Sequence, residues 1–256
     1  MIHMTPESEI NGWRGIGARL LDLLYPPRCG LCETVLSGGR SLCSACANDL
    51  PRLREPFCES CGEVFPGRID RSFSCPNCSD LQFAFDFARP AMMRDERALA
   101  LIHRLKYRKE IHLAADLGRL AADAFTEDAR LAPAIAGSWS LVPVPLHRSR
   151  LRKRHFNQAE EISRGLARAV GLPVVHALRR TRNTATQTLL SRKQRMDNLR
   201  GAFQITRAGK RLQSRCPAGV VLVDDVLTTG STVHECARVL RQNGFQSVFV
   251  VTVMRG

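Results

Sequence analysis

Aromatic residues are scarce in this sequence. Phe, Trp and Tyr make up 6% of its 256 residues, and Trp and Tyr occur twice each. No apolar run approaches the ~20 residues that a membrane-crossing helix needs, so no such span is expected. The first residues, MIHMTPESEI, contain acids and lack the apolar stretch of a secretory signal. A cytoplasmic location is the expectation. Acidic residues are the minority, 24 against 38 basic, which gives a net charge of +14 and a pI near 10.0. That field attracts polyanions, whether nucleic acid, nucleotide or phosphorylated sugar, without choosing among them. After Cys78 the chain holds only two of its ten cysteines, Cys216 and Cys236. This distribution excludes an evenly spread disulfide framework, and a cytoplasm would keep the thiols reduced.

The other eight cysteines form four C-x-x-C pairs, Cys29/Cys32, Cys43/Cys46, Cys58/Cys61 and Cys75/Cys78. Two thiolates at this spacing on one tight turn reach the same metal, and four around one ion make the closed tetrahedral site of structural zinc. Two such sites use all eight sulfurs, and Gly30 and Gly62 suit the sharp turns. One pair alone could be a redox motif, but four in succession, far from any βαβ unit, argue for zinc. Tandem grouping keeps each loop short and is preferred, with an interleaved arrangement as the alternative. The stretch from Cys29 to Cys78 is too poor in apolar residues to build its own core and needs such a staple. A closed site performs no chemistry, so the region is either a docking module for nucleic acid or protein or a folded extension packed on the rest of the chain.

Three regions are expected: an amphipathic helix in 1–25, the zinc-binding region in 26–80 and a larger domain in 81–256. In the first, Ile16, Leu20, Leu23 and Leu24 share a helical face, best suited to packing on the body of the protein, and Pro26-Pro27 stops the helix. In the third, FAFDFARPAMM reads as a strand and is followed by helices near 95–106 and 111–125. Ser138–Pro145 reads as a buried strand, 157–170 as a helix ended by Gly171, and 179–200 as a long basic loop with at most a short helix. Val220–Val223 suits a parallel strand buried on both faces. Ser231–Asn243 is a helix closed by Gly244, and Val248–Val253 a last strand. Alternating strands and helices predict an α/β fold with a mostly parallel sheet. Cys236 falls on the apolar face of its helix with Val233, Ala237 and Leu240, and Cys216 has no partner at a useful spacing.

The chemistry concentrates in VVLVDDVLTTGST, Val220 to Thr232. A buried strand delivers Asp224 and Asp225 to the edge where ligands of open α/β sheets bind. The next residues, Thr228, Thr229, Gly230, Ser231 and Thr232, put backbone N–H groups, hydroxyls and a helix dipole where a phosphate can sit. Gly230 permits close backbone approach. The loop lacks the Lys of a Walker A motif.

This block resembles the signature with which type I phosphoribosyltransferases bind phosphoribosyl pyrophosphate (PRPP). The resemblance implies that Asp224 and Asp225 hold the ribose hydroxyls and that Thr228 through Thr232 cradle the 5-phosphate. Some purine-salvage members carry Asp at the first loop position to serve the incoming base. Thr228 stands there in this chain, so that proton-transfer role has no carrier.

Further blocks, LLDLLYPPRCGLC, LIHRLKYRKE, SLVPVPLHRSRLRKRHFNQAEEIS and TATQTLLSRKQRMDNLRGAF, resemble the ComF family over nearly the whole chain. These are double-zinc-ribbon, phosphoribosyltransferase-like proteins linked to competence for DNA uptake. The resemblance places the pyrophosphate loop at about Val144–Arg148 and a substrate-closing loop at Arg179–Arg195. A cation that lowers the barrier to pyrophosphate departure is then expected there. Arg148 is the first choice among the basic residues of that turn and Lys106 the second, while His147 and His155 are expected to be unremarkable. The implied function is Mg²⁺-dependent transfer of phosphoribosyl from PRPP to an unidentified acceptor. The alternatives are a non-catalytic PRPP or nucleotide sensor, and a protein that binds single-stranded DNA through its zinc ribbons and Arg152, Lys153 and Arg154. DNA-uptake proteins are candidate partners in either case.

Overall fold

The computed structural model describes residues 26–36, 39–65, 67, 73–79, 81–184 and 192–256. The expected helix in 1–25 lies outside them, as does the 185–191 part of the expected closing loop. No helix among the described residues is long and apolar enough to cross a membrane.

Four parallel strands form the central sheet: β1 (Phe87–Met92), β2 (Ser140–Pro143), β5 (Gly219–Leu227) and β6 (Ser247–Arg255), in the order β1-β6-β5-β2. Every β1 residue is buried, and β5 and β6 are buried almost throughout. Burial on both faces explains why Val220–Val223 and Val248–Val251 read as continuous apolar runs rather than alternating ones. Alternation persists in where the side chains go. Val221 and Val223 of β5 join one core with Phe249 and Val251, whereas Val220 and Leu222 join a second core with Val248 and Val250.

The first core is covered by helices Glu96–Arg108 (α3), Leu113–Glu127 (α4) and Gln158–Val170 (α7). Asn157 caps α7 by accepting from Ala159 N at 3.2 Å, and Gly171 closes it at φ +74°, the left-handed conformation that glycine adopts without strain. Helices α4 and α7 touch through Gly118 and Gly165. A Cβ on Gly118 would lie 2.5 Å from Ile162 O and one on Gly165 2.9 Å from Ala115 O. The second core is covered by Ser231–Gln242 (α10), where Cys236 is buried beside Val233, Ala237 and Leu240 as expected.

The sequence from 179 to 200 contains more order than its polarity predicts. Leu178–Arg180 (β3) pairs antiparallel with Phe203–Ile205 (β4), and helix Arg192–Leu199 (α8) precedes β4. Strands of three residues are too short for periodicity to register. The short helices Ser44–Asp49 (α1), Pro76–Ser79 (α2), Ala132–Ala136 (α5) and Arg148–Arg154 (α6) escape detection for the same reason. Helix Arg207–Arg215 (α9) escapes because Gly209 is its only buried residue.

The cysteine-rich region packs directly on this domain. Asp116, buried on α4, accepts from Ser41 N at 2.5 Å and Leu42 N at 3.1 Å. Arg104 of α3 donates to Gly30 O, and Arg97 pairs with Asp49. The fully buried Arg89 of β1 donates to Leu53 O at 2.8 Å and reaches Asp128 at 3.3 Å, with its guanidinium 4.7 Å from the centre of the Phe57 ring. A buried charge persists only where it is paired and hydrogen-bonded in this way. The region is thus packed on the domain, as the folded-extension reading expects.

Candidate active site and zinc centres

The cysteines group in tandem, as preferred: Cys29, Cys32, Cys43 and Cys46 in one cluster, and Cys58, Cys61, Cys75 and Cys78 in the other, with the sulfurs of each cluster within 4.8 Å of one another. Cys32 Sγ and Cys43 Sγ stand 3.7 Å apart, as do Cys61 Sγ and Cys75 Sγ. A disulfide needs about 2.0 Å. A zinc tetrahedron with Zn–S near 2.3 Å has edges of about 3.8 Å, which these separations fit. Backbone N–H groups point at the sulfurs: Cys43 N at Cys29 (3.4 Å), Cys46 N at Cys43 (3.3 Å) and Cys75 N at Cys58 (3.3 Å). Such donors favour the thiolate form that metal ligation requires. The second cluster is the more buried, and its four sulfurs share a core with Phe85, Val233 and Cys236.

β5 runs past the two acids to Leu227, so Asp224 and Asp225 lie within the strand rather than at its end. Its alternation sends them to opposite sides of the sheet. Asp225 follows Val221 and Val223 toward α3, is buried, and forms an ion pair with Lys106. Its Oδ1 also accepts from Val226 N at 3.0 Å. Asp224 follows Val220 and Leu222 toward α10 and lines a small cavity of about 40 Å³ with Thr228, Thr229, Gly230, Ser231 and Thr232. Of the two acids, Asp224 is the one that opens onto the loop. Burial, and then the charge of Asp225, push its carboxyl well above the usual range.

The loop has the form expected of an anion cradle. Gly230 sits at φ +76° immediately before α10, and a Cβ there would press on Phe83 at 3.2 Å. The hydroxyls of Thr229 and Ser231 are 2.9 Å apart. Ser231 begins α10, whose first backbone N–H groups have no partner within the helix. Behind the loop, the half-buried imidazole of His234 accepts from Ala84 N at 3.1 Å, and desolvation holds its pKa below normal.

Lys106 belongs to two surfaces. Besides pairing with Asp225, it lines a cleft of about 260 Å³ with Tyr107, Lys109, Arg150, Lys153 and Arg154. Arg148 lies elsewhere, on a larger cavity of about 540 Å³ together with Leu146, Leu151, His176, Leu178 and Arg179. The trio expected to meet nucleic acid divides: Lys153 and Arg154 face the Lys106 cleft, whereas Arg152 is exposed and lines none of these cavities.

Two residues near the site were not singled out in the sequence. Arg180 of β3 is desolvated, which together with the charge of Arg150 lowers its pKa, while Asp224 acts in the opposite direction. No signal in a stretch so rich in Arg distinguishes Arg180. Tyr107 is 68% exposed with Arg154 5.5 Å from its ring centre. A lone aromatic inside LKYRKE was the available clue.

An open α/β sheet with a phosphate-type loop at its edge, preceded by two tetrathiolate clusters, defines a zinc-ribbon protein with a phosphoribosyltransferase-like domain. Comparison with known families agrees. Residues 20–79 match a double zinc ribbon domain, and residues 157–256 match a phosphoribosyl transferase domain. Competence protein F of Haemophilus influenzae is 31% identical over 210 residues, covering 82% of this chain and 88% of that protein. DNA utilization protein YhgH of Salmonella typhimurium is 32% identical over 242 residues, covering 91% and 99%. Competence protein ComFC of Bacillus subtilis is 32% identical over 104 residues, covering 41% and 39%. The chain belongs to the competence protein F (ComF) family.

Proposed function

We propose that this protein binds PRPP with Mg²⁺ and transfers its phosphoribosyl group to an acceptor, releasing pyrophosphate. The observation that carries the reading is the shared cavity of Asp224 and the Thr228–Thr232 loop, with the Lys106–Asp225 pair on the other side of the same strand. The loop amides and hydroxyls hold the 5-phosphate, and Asp224 accepts from a ribose hydroxyl. Asp225, on the opposite face of the sheet, holds Lys106 toward the departing pyrophosphate. Lys106 and Arg148 are the proposed cations of the leaving side, and Arg150 joins them because it shares the Lys106 cleft. Positioned cations of this kind lower the barrier as negative charge gathers on the leaving oxygens.

Asp224, the carboxylate on the loop side of β5, suits a hard divalent cation. When bound with PRPP, Mg²⁺ supplies neutralisation of pyrophosphate charge. The two tetracysteine groups hold structural zinc, and the protein acts in the cytoplasm.

Calorimetry tests this reading. PRPP with Mg²⁺ should bind the parent protein and bind Asp224→Ala at least tenfold more weakly, and pyrophosphate should appear when bases and amines are offered. Absence of PRPP binding by the parent defeats the reading. Binding without pyrophosphate release on any acceptor favours a sensor.

A second reading has its own observation. Tyr107 stands exposed among Lys106, Lys109, Arg150, Lys153 and Arg154. An aromatic face ringed by cations suits the stacked bases and backbone of single-stranded DNA. The names of the relatives, competence protein and DNA utilization protein, support the same process, and binding to DNA-uptake proteins belongs with it.

A further inference from the structure

The C-terminal end of β6 links the second zinc ribbon to the phosphate loop. Arg255, buried at 5% exposure, directs Nη1 to Leu227 O at 2.6 Å and Thr228 O at 2.7 Å, the last residue of β5 and the first of the loop. The same Nη1 also reaches Gly256 O at 2.6 Å. Its other terminal nitrogen, Nη2, forms an ion pair with Glu63. Glu63 lies two residues beyond Cys61, and its carbonyl accepts from Cys58 N at 2.8 Å, so the turn that carries two zinc ligands also fixes Glu63. A second connection meets the other side of the loop. Phe83, five residues after Cys78, stacks on Phe85 with ring centres 4.5 Å apart and packs on Gly230. Phe85 in turn shares a core with the four sulfurs of this ribbon.

We propose that Arg255 is a positioning residue for the phosphate loop, held in place by Glu63 of the second zinc ribbon. Carbonyls at Leu227 and Thr228 gripped by one guanidinium fix the direction in which the chain leaves β5, and so where the following amides point. Guanidinium geometry suits the task, because its planar fork serves several acceptors at once, which a lysine ammonium on a flexible stem does less well. The ribbon thereby acts on substrate binding without touching substrate. The effect on PRPP rests on the function proposed above, whereas the effect on the loop itself does not.

The test compares the parent with Glu63→Ala, which removes the partly exposed ribbon-side partner, and with Glu63→Gln, which keeps an acceptor without the charge. All are studied as full chains at matched zinc content. Amide hydrogen exchange is followed in peptides covering Leu227–Val233, and PRPP–Mg²⁺ affinity is measured in parallel. In Glu63→Ala the loop amides should exchange faster while peptides from β1 and α7 keep their protection. PRPP affinity should fall roughly fivefold, the scale of a partly exposed charge-assisted hydrogen bond, with Glu63→Gln intermediate. Arg255→Lys should reproduce the loss if it folds. Unchanged loop exchange in Glu63→Ala overturns the proposal, and so does equal loss of protection throughout the chain, which would mark general destabilisation. Faster loop exchange in a protein whose parent does not bind PRPP keeps Arg255 in its role and removes only the transferase reading.

Discussion

Lys106 and Asp225 form an ion pair that ties helix α3 to strand β5, with Asp225 6% and Lys106 16% exposed at their side chains. Removing one member of such a pair leaves a charge in poorly solvated surroundings. Lys106→Met should destabilise the protein by about 3 kcal/mol in urea unfolding. The double variant Lys106→Met with Asp225→Asn should recover part of that loss, because the stranded carboxylate is then gone. A double variant no more stable than Lys106→Met would show that the pair is not coupled as the structure describes.

Asp224 gives the site a pH dependence of opposite sign to that of a salt-bridged acid. Its folded pKa is raised by burial and by Asp225. The folded state therefore binds a proton that the unfolded chain has already released, and stability falls as pH rises from the ordinary carboxylate pKa near 4 toward the raised value. Asp224→Asn should flatten the fall in melting temperature over that window. Binding of PRPP with Mg²⁺, which needs the ionised form, should release protons, detected as a dependence of the calorimetric heat on buffer ionisation enthalpy. If Asp224→Asn keeps the parent's pH profile, the titrating group is another one.

The strand, turn and helix start around Asp224 and Asp225 were legible in the sequence because they are local, occupying thirteen consecutive residues. The zinc clusters were legible for the same reason. What could not be read were relations across the chain. Lys106 meets Asp225 only because α3 covers the face to which Asp225 points, and this followed once β5 extended beyond the acids. Val220–Val223 marked the strand by its apolar run, but the strand continues through charged residues to Leu227, where pairing with β6 carries it on. The polar stretch from 179 to 200 hid β3, since three residues with one buried side chain leave no pattern.

Asp116 joins the first zinc ribbon to the helical layer through Ser41 N and Leu42 N. Asp116→Ala leaves both amides without their buried acceptor and should cost about 2 kcal/mol of stability. Zinc should also leave the protein faster in the presence of a chelator, by the first of two kinetic phases, because Ser41 and Leu42 immediately precede Cys43. The metal content of the untreated parent should be close to two zinc ions per chain. Equal chelation rates in parent and variant would separate ribbon docking from metal retention.

The contact of α4 with α7 tolerates no side chain at Gly118. A Cβ there would meet Ile162 O at 2.5 Å and Leu166 N at 2.6 Å, and backbone atoms cannot yield as a flexible side chain can. Gly118→Ala should therefore lower stability by about 3 kcal/mol despite alanine's better helix propensity. An Ala at exposed helix positions such as Arg168 should be near neutral by comparison. The melting temperatures of the two variants test the difference, and a Gly118→Ala protein as stable as the parent would mean that the helices sit farther apart.

The basic cleft around Tyr107 separates a stacking platform from a merely solvated surface. If single strands lie across it, Tyr107→Ala should weaken binding of an oligothymidine by about tenfold at low salt, the scale of one lost base–aromatic stack. Lys153→Ala with Arg154→Ala should act differently, reducing the slope of affinity against salt concentration by about 1.4 as two phosphate contacts vanish. A change at Arg152 should have the smaller effect, since it lines none of the cavities near Lys106. The contrast matters because charge alone would make any arginine on so basic a chain equivalent. Tyr107→Ala carries no change of charge, so a loss of affinity there at constant salt slope assigns the platform to the aromatic ring, and unchanged affinity returns the cleft to PRPP chemistry alone.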